Sequence, residues 1–316
     1  MKIQNYKIQL AYATDMNYIN ASIVSMMSAL ENTSQPVLLH LLGYELSEDA
    51  IDKVSLACNK FPGTKFKYHE ITNEMLTEEV KDLKLPPSIF SRLFIPDLAD
   101  LNDGDKVLYI DSDTIVCGDL SPIFEIDLKG SYIGAVRDCL PLNFLTKSEE
   151  KVINEYRNIM HPFPLTDYFN SGVLLLDCRS IINNKDLARK MKDLNTASKY
   201  YSLDQTHLNN LFKGCVTYLD EKYNCFWGDY NYQYYKRFKN KLNFNYRDAP
   251  VIVHFIGPYK PWNSSDISKF KMLKVKLLGK KYKPFKYQIL SYKDQVLLYQ
   301  DQAKRYMDML QNSDSR

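Results

Sequence analysis

The sequence of 316 residues lacks the patterns that define several protein classes. Its six cysteines form no Cys-x-x-Cys pair and are not spaced with the five histidines. This argues against a zinc site or a disulfide framework and predicts reduced thiols in a cytoplasmic protein. No run approaches the ~18 apolar residues of a membrane span, and no basic-then-apolar leader opens the chain, so we expect no secretion. A net charge of +3 is too small to indicate a nucleic-acid partner.

Strand and helix patterns alternate along the chain. Alternation of this kind is typical of an α/β fold with a mostly parallel central sheet flanked by helices. The predicted strands cover residues 8–13, 37–42, 65–69, 106–110, 131–137, 172–177 and 251–255. The predicted helices cover residues 19–31, 48–59, 74–85, 88–99 and 203–212, with Pro86 and Pro87 between the third and the fourth.

The most informative stretch, residues 107–114, ends an apolar strand in two carboxylates, Asp111 and Asp113. Because residues i and i+2 of an extended chain point to the same side, both carboxylates can reach one cation. Open α/β sheets bind ligands at this edge, beyond the carboxyl ends of their strands. Oxygen ligands suit Mg²⁺ or Mn²⁺, which can hold a diphosphate. The alternative is a surface turn, where Asp and Ser are common.

Three further segments place polar side chains near element ends, and each has a simpler alternative. Asp15 and Asn17 follow the first strand, where a doubly wound sheet binds a nucleotide. The segment around them contains no Gly-x-Gly-x-x-Gly motif, which a dinucleotide-binding site would show. Capping of the helix that follows is the alternative. Asn170 precedes a buried strand and can bind a sugar hydroxyl or form a turn. Asp204 and Gln205 open a helix, where capping is again the alternative.

The last predicted strand ends in His254, and Lys260 follows six residues later. An imidazole can complete a metal site begun by two carboxylates, and a lysine can reach a phosphate as a point charge. A histidine on a strand can instead be an ordinary core residue. The combination with Lys260 and two turns rich in Gly and Pro favours a functional segment.

Six segments occur together in the order typical of one enzyme family. They are Ala13-Thr14-Asp15-x-Asn17-Tyr18, Ser91-Arg92-Leu93, Lys106 to Asp113, Phe169 to Asp177, Asp204-Gln205-x-x-Leu208-Asn209 and His254-Phe-x-Gly257-x-x-Lys260-Pro261-Trp262. With these motifs, residues 8–262 resemble the family 8 retaining glycosyltransferases, which include bacterial lipooligosaccharide galactosyltransferases and glycogenin. The resemblance implies a GT-A fold that binds a nucleotide sugar, a UDP-sugar donor, and Mn²⁺ or Mg²⁺ as the metal.

The resemblance also implies roles for individual residues. The implied metal ligands are Asp111, Asp113 and His254. The implied nucleotide-sugar contacts are Ala13, Asp15, Asn17, Tyr18, Arg92, Asp111, Ser112, Gly257 and Lys260. The implied catalytic residues around the donor sugar are Asn170, Asp204, Gln205 and Asp138, the last of which matches an acidic position in the family. Two positions depart from the family pattern, because Phe90 stands at a common Tyr and Thr206 at a common acid.

These residues predict an enzyme that moves galactose or glucose from a UDP-hexose to a saccharide, glycolipid or glycoprotein hydroxyl. The metal would stabilise the departing UDP. Retention needs either a carboxylate nucleophile, for which Asp138 is the candidate, or same-face attack, which we favour. One alternative is a haloacid-dehalogenase-like phosphatase, since Asp111-Ser-Asp113-Thr114 fits its signature. Another is a non-catalytic sugar-binding protein on the same fold.

The composition changes after Trp262, which predicts a catalytic domain at 1–262 and a basic, helical C-terminal extension at 263–316. Eight lysines and no acid lie between Lys269 and Lys286. They predict either a solvated face or contact with anionic lipid at the inner membrane surface. From Ile289 to Leu310 an apolar stripe recurs at helical spacing, and we expect it to dock on the catalytic domain rather than form a coiled coil. The sequence does not decide whether the chain forms a homodimer.

Overall fold

A computed structural model describes residues 8–83, 85–99, 105–138, 150–226, 250–256, 260–262 and 292–311. Within these ranges the strands form two sheets, one of seven strands and one of three. The strands are β1 (Ile8–Asp15), β2 (Val37–Tyr44), β3 (Thr64–Glu70), β4 (Lys106–Ile110), β5 (Thr114–Val116), β6 (Ile133–Arg137), β7 (Phe169–Asp177), β8 (Val216–Tyr218), β9 (Cys225–Phe226) and β10 (Ile252–His254). Each predicted strand is present; β4 has the predicted bounds, and the others differ by a few residues at one or both ends.

The large sheet has the order β3-β2-β1-β4-β7-β6-β8. Its pairs are parallel except where β7 runs antiparallel to β4 and to β6. In the small sheet β10 is antiparallel to β5 and parallel to β9. A mostly parallel sheet is therefore confirmed. The small sheet matters for the site, because it brings the end of β10 beside the segment that follows β4.

Helices cover both faces of the large sheet. The α-helices among the described residues are α1 (Ile19–Asn32), α2 (Glu48–Asn59), α3 (Glu78–Lys81), α4 (Ile95–Leu98), α5 (Ser121–Phe124), α6 (Glu150–Met160), α7 (Cys178–Asn183), α8 (Lys185–Met191), α9 (Leu194–Ala197), α10 (Leu203–Phe212) and α11 (Tyr292–Gln311). The 3₁₀ helices are Asn73–Met75, Pro87–Phe94, Leu165–Asp167 and Glu221–Tyr223. The predicted inner face of α1, including Ile23 and Met27, is buried.

Two predicted helices, at 74–85 and 88–99, are wrong as continuous helices. The first range holds a 3₁₀ turn and the short α3, and the second holds a 3₁₀ helix followed by α4. Proline lacks a backbone N–H and fits only the first turn of an α-helix. Pro87 begins the 3₁₀ helix, and Pro96 lies in the first turn of α4. A new helix therefore begins at Ile95.

The described part of α11 docks on the sheet-and-helix core, as the apolar stripe predicted. Tyr299, Tyr306 and Leu310 are buried in the same hydrophobic cluster as α1 and β1. The Tyr306 hydroxyl donates a 2.7 Å hydrogen bond to Glu31 at the end of α1, and Arg305 forms an ion pair with the same carboxylate. The C-terminal helix therefore stabilises the helix that backs the candidate site.

The other predictions for the C-terminal extension concern segments that the structure leaves out. The lysines from Lys269 to Lys286 lie outside the described residues, and the division at residue 262 stays a prediction. In the ranges given above, no helix has the length and apolar character that crossing a bilayer requires. The five described cysteines are free thiols.

Replacing Tyr306 with phenylalanine tests the docking of α11. The ring would still fill its site, but the charged acceptor on Glu31 would lose its donor, so we expect the free energy of unfolding to fall by about 1.5–3 kcal/mol. Urea denaturation followed by circular dichroism measures this loss. Glu31→Gln, which keeps an oxygen for the bond, should cost less. A Tyr306→Phe variant as stable as the parent would show that this contact does not anchor α11.

Candidate functional site

A row of serines on α1 holds the segment between β4 and β5. Ser22, Ser25 and Ser28 recur every three residues on one side of the helix. Their hydroxyls lie 2.7 Å from Ser112 Oγ, 2.6 Å from Thr114 Oγ1 and 2.9 Å from the N–H of Val116. These contacts fix the bend at Ser112 and Asp113 against α1, with Asp111 and Asp113 on either side of Ser112.

The two carboxylates converge there with the histidine from the small sheet. In the β5–β10 pair, His254 lies opposite Thr114. His254 Nε2 is 3.1 Å from Asp113 Oδ1 and 3.8 Å from Asp111 Oδ2. One ligand atom from each of the three residues lies within 4.8 Å of the others. The structure therefore brings the three predicted side chains together.

Gly172 of β7 lets this cluster form. A Cβ atom at this position would lie 2.3 Å from the His254 ring and 2.6 Å from Asp111 Oδ2. Distances under about 3 Å are not tolerated between such atoms, so any larger residue would push the His254 and Asp111 side chains apart. The cluster consists of two carboxylates and one imidazole, a set of hard oxygens and borderline nitrogen that fits Mn²⁺ or Mg²⁺.

Lys260 adds a positive charge on one side of the cluster. Its ammonium group forms an ion pair with Asp113 and donates to the carbonyl of Phe255 at 2.9 Å. Burial alone would raise the pKa of Asp113, but the neighbouring His254 and Lys260 outweigh burial and hold that pKa well below its usual range. Burial lowers the pKa of Lys260, and the Asp113 carboxylate more than reverses this. Asp113 is therefore ionised and ready to bind a cation.

Arg92 lies behind the cluster and connects it to α10. Its guanidinium is 3.0 Å from Asp111 Oδ1 and 3.1 Å from Asp204 Oδ2, and it donates at 2.7 Å to the carbonyl of Ser171. Burial raises the pKa of Asp204 to about 6, although Arg92 opposes this rise. Asp204 thus acts in a buried ion pair and does not cap α10, whose first residue follows Ser202.

A second cluster, formed by Asp138, Asn170 and Gln205, lies next to the carboxylates. Asp138 Oδ2 accepts hydrogen bonds from Asn170 Nδ2 and Gln205 Nε2, both at 3.1 Å. Gln205 Oε1 accepts from Asn170 Nδ2 and from the N–H of Ser171, also at 3.1 Å. Asn170 was predicted to precede the strand, but β7 begins at Phe169 and includes it. The structure brings the predicted sugar-site residues together in one network, which we call the amide cluster.

The end of β1 forms the third part of the site. Asp15 Oδ1 accepts from the N–H groups of Asn17 and Tyr18 at 2.8 and 3.3 Å, and Asp15 Oδ2 accepts from Ser88 at 2.8 Å. The side chain of Asp15 thus holds the turn before α1, but it does not cap the helix, whose N-cap residue Tyr18 has no side-chain cap hydrogen bond. Asn17 is exposed. Ala13 contributes its carbonyl to Ser112 at 3.0 Å.

Two residues that hold the site were missed by the sequence analysis. The Tyr109 hydroxyl donates to Asp111 Oδ1 at 2.5 Å, and its ring packs 4.6 Å from the Arg92 guanidinium. Tyr109 lies two residues before Asp111, so the alternation along β4 could have indicated it. Asn224 lies 2.9 Å from His254 Nδ1, and no local pattern marks it. Gly257 falls outside the described residues.

The fold is that of the GT-A glycosyltransferases. The structure of the galactosyltransferase LgtC in complex with donor and acceptor sugar analogs superposes with a TM-score of 0.63 at 22% sequence identity, covering 86% of this chain and 96% of LgtC. At that identity the match shows the fold alone. The model of glycosyl transferase family 8 matches residues 9–266, and the chain belongs to this family.

Sequence relatives agree with this membership. Glycosyltransferase GlyE of Streptococcus pneumoniae is 28% identical over 275 residues, which cover 85% of this chain and 60% of GlyE. A lipopolysaccharide 1,2-glucosyltransferase of Escherichia coli is 29% identical over 265 residues, covering 80% of this chain and 73% of that protein. The match therefore spans less than two thirds of the length of GlyE.

Proposed function

We propose that this chain is a metal-dependent, retaining glycosyltransferase that moves galactose or glucose from a UDP-sugar to an acceptor hydroxyl. The observation that carries the proposal is the convergence of Asp111, Asp113 and His254 beside the amide cluster in a family 8 chain. Relatives named lipopolysaccharide 1,2-glucosyltransferase and lipopolysaccharide 1,3-galactosyltransferase support a saccharide or glycolipid acceptor. Family membership favours this function over the phosphatase alternative.

Asp111, Asp113 and His254 are the proposed ligands of Mn²⁺ or Mg²⁺. When bound, the metal supplies Lewis-acid stabilisation of the diphosphate leaving group. The chain itself prepares this site, because Asp113 is kept ionised by its neighbours and Gly172 leaves room for the ligands. Lys260 lies on the Asp113 side of the cluster, where its charge can attract the diphosphate.

The end of β1 is the proposed uridine site. Ala13 and Asp15 lie at the end of β1, and Asn17 and Tyr18 lie in the turn that follows, where an open α/β sheet binds nucleotides. Asp15 holds the turn through backbone N–H groups, which leaves the exposed Asn17 side chain beside it. Ser112 and Gly257 complete the proposed set. Ser112 is supported by its contacts to α1 and to Ala13.

The amide cluster, with Asp204 and Arg92 beside it, is the proposed donor-sugar site. Asn170 and Gln205 each offer both a donor and an acceptor to sugar hydroxyls. Asp138 could act as a nucleophile, but its Oδ2 already accepts two hydrogen bonds, which weakens a carboxylate as a nucleophile. We therefore favour same-face attack, in which a phosphate oxygen of UDP takes the acceptor proton. An NMR coupling constant showing a β-linked product from an α-linked donor would rule out retention.

A panel of UDP-, GDP- and ADP-sugars tests the proposed donor. We expect hydrolysis of UDP-galactose or UDP-glucose with Mn²⁺, no turnover with EDTA, and weak use of GDP- and ADP-sugars, because the β1 turn is the proposed uridine site. UDP release measured by a coupled assay gives the rates. Equal use of GDP-sugars would overturn the uridine assignment. Binding of UDP-sugar without any release of UDP would indicate a non-catalytic sugar-binding protein instead.

Contact with an anionic membrane surface is proposed for the lysine-rich segment Lys269–Lys286. Its support is compositional, since eight lysines without an acid each contribute about 1 kcal/mol near anionic lipid. Replacing Lys274, Lys276, Lys280 and Lys281 with Glu should abolish sedimentation with anionic liposomes at low salt and leave UDP-sugar hydrolysis unchanged. Unaltered sedimentation would show that the lysines form a solvated face.

A further inference from the structure

Asn224 connects the proposed metal ligands to the amide cluster. Its side chain contacts His254 Nδ1 at 2.9 Å on one side and Asn170 Oδ1 at 2.9 Å on the other. Asn224 is buried, as are the two residues that it joins. It follows the 3₁₀ helix Glu221–Tyr223 and precedes β9, which pairs with β10. The small sheet therefore fixes Asn224 beside His254.

The direction of these hydrogen bonds follows from one backbone group. The N–H of Gly172 can only donate, so the Asn170 atom that it contacts at 2.9 Å is the oxygen Oδ1. The Asn224 atom facing that oxygen must be a donor as well, which makes it Nδ2. Asn224 consequently turns its oxygen toward His254. An oxygen at this distance accepts a hydrogen bond, so Nδ1 of His254 carries the proton.

A proton on Nδ1 leaves Nε2 as the ring nitrogen that can bind a cation. That atom lies 3.1 Å from Asp113 Oδ1 and 3.8 Å from Asp111 Oδ2. Two carboxylates and one imidazole nitrogen that meet in this way can hold a cation between them. Metal-bound histidines commonly donate their other N–H to a fixed acceptor, which sets the tautomer and the ring orientation.

We propose that Asn224 is a positioning residue that holds His254 in the Nδ1–H tautomer, so that Nε2 completes the cation site with Asp111 and Asp113. This inference rests on the proposed metal-dependent function. The same side chain donates to Asn170, which in turn donates to Asp138 and Gln205. One amide therefore sets both the tautomer of the metal-facing histidine and the orientation of the sugar-facing asparagine.

Two substitutions at this position separate the role toward His254 from general packing. Asn224→Leu loses both hydrogen bonds. Asn224→Asp loses only the donor to Asn170, and its carboxylate still accepts from His254 Nδ1. Both variants lose the hydrogen bond to Asn170. Any difference in Mn²⁺ affinity between them therefore comes from the hydrogen bond to His254. The control is Asn32→Leu, which removes a part-buried amide that bonds the carbonyls of Ser28 and Val116.

The first measurement is Mn²⁺ affinity, determined by electron paramagnetic resonance titration without nucleotide. We expect Asn224→Leu to bind Mn²⁺ about 10–100-fold more weakly than the parent, which is the usual effect of removing the partner of a ligating histidine. Asn224→Asp and Asn32→Leu should bind it about as tightly as the parent. Parental affinity in Asn224→Leu, or an equal loss in Asn224→Asp, would overturn the proposal.

The second measurement uses the unmodified chain and needs no variant at Asn224 to fold. Nitrogen-15 NMR of its histidines, with Zn²⁺ as a diamagnetic probe, shows which imidazole nitrogen carries the proton, and His254→Gln identifies the resonance. We expect a protonated Nδ1 and a Zn²⁺-dependent shift at Nε2. A protonated Nε2 would overturn the tautomer assignment and leave the proposed function intact. If the His254 resonance does not shift when Zn²⁺ is added, both the tautomer assignment and the proposed metal-dependent function would be wrong.

Discussion

Asp113→Asn should lower the rate of sugar transfer by at least about 100-fold, because leaving-group stabilisation is a leading contribution to catalysis of this kind. The amide keeps the shape of the side chain but lacks the charge that binds the cation. Asp113 lies between His254 and Lys260, both of which favour its ionised form. Removing the metal with EDTA should reproduce the loss in the unmodified enzyme. Release of UDP from the preferred UDP-sugar measures both effects.

Asp119→Asn is the matched control for this prediction. Asp119 lies six residues further along the same segment, is exposed, and bonds only to Ser34 and Ser121 among the contacts described for it. Its replacement should leave the transfer rate unchanged. If Asp113→Asn transfers sugar robustly, or if the enzyme works at full rate in EDTA, the cluster is not a catalytic metal site.

Arg92→Leu should destabilise the fold more than any other substitution considered above. The guanidinium is buried between Asp111 and Asp204 and also bonds Ser171. Without it, two carboxylates remain in a poorly solvated site with no compensating charge. Breaking a buried ion pair in this way costs about 3–5 kcal/mol. Urea denaturation should show this loss in the free energy of unfolding.

Two further variants show whether the loss comes from the uncompensated charges. Adding Asp204→Asn to Arg92→Leu removes one of the two stranded carboxylates and should recover part of the stability. Arg189→Leu removes an arginine from an exposed ion pair with Asp186 on α8, and exposed pairs of this kind contribute little, so we expect no measurable change. An Arg92→Leu variant that unfolds like the parent would show that the buried ion pairs do not stabilise the site.

The placement of the strand-end carboxylates was predictable because side chains two residues apart in a strand point to the same side. Once Val107–Ile110 is recognised as a buried strand, Asp111 and Asp113 must lie on one side of the chain beyond its end. The docking of α11 was predictable for the same kind of reason, since a stripe at helical spacing has to bury its apolar side chains. Both inferences need only neighbours in the sequence.

The helix breaks near Pro86 and Pro96 were not predictable from the spacing of apolar residues. Apolar residues recur there at helical spacing, but 3₁₀ and α-helical turns share that spacing over a few residues. Proline then decides where each turn ends, because it cannot donate the hydrogen bond that would continue the helix. Asn170 shows a related limit, since the sequence Asn170-Ser171-Gly172 favours a turn locally, although Phe169 and Leu174 on either side of it pair with β6 and keep it inside β7.

The sequence by itself determined the α/β alternation, the two carboxylates and the six ordered motifs that mark the family. These features follow from spacing along one chain. Only the tertiary structure decided that Arg92 joins Asp111 to Asp204 and that Asn224 contacts His254. Arg92 and Asp204 are 112 positions apart, and Asn224 and His254 are 30 apart. Hydrogen bonds over such separations depend on how strands are ordered in the two sheets, which no local pattern specifies.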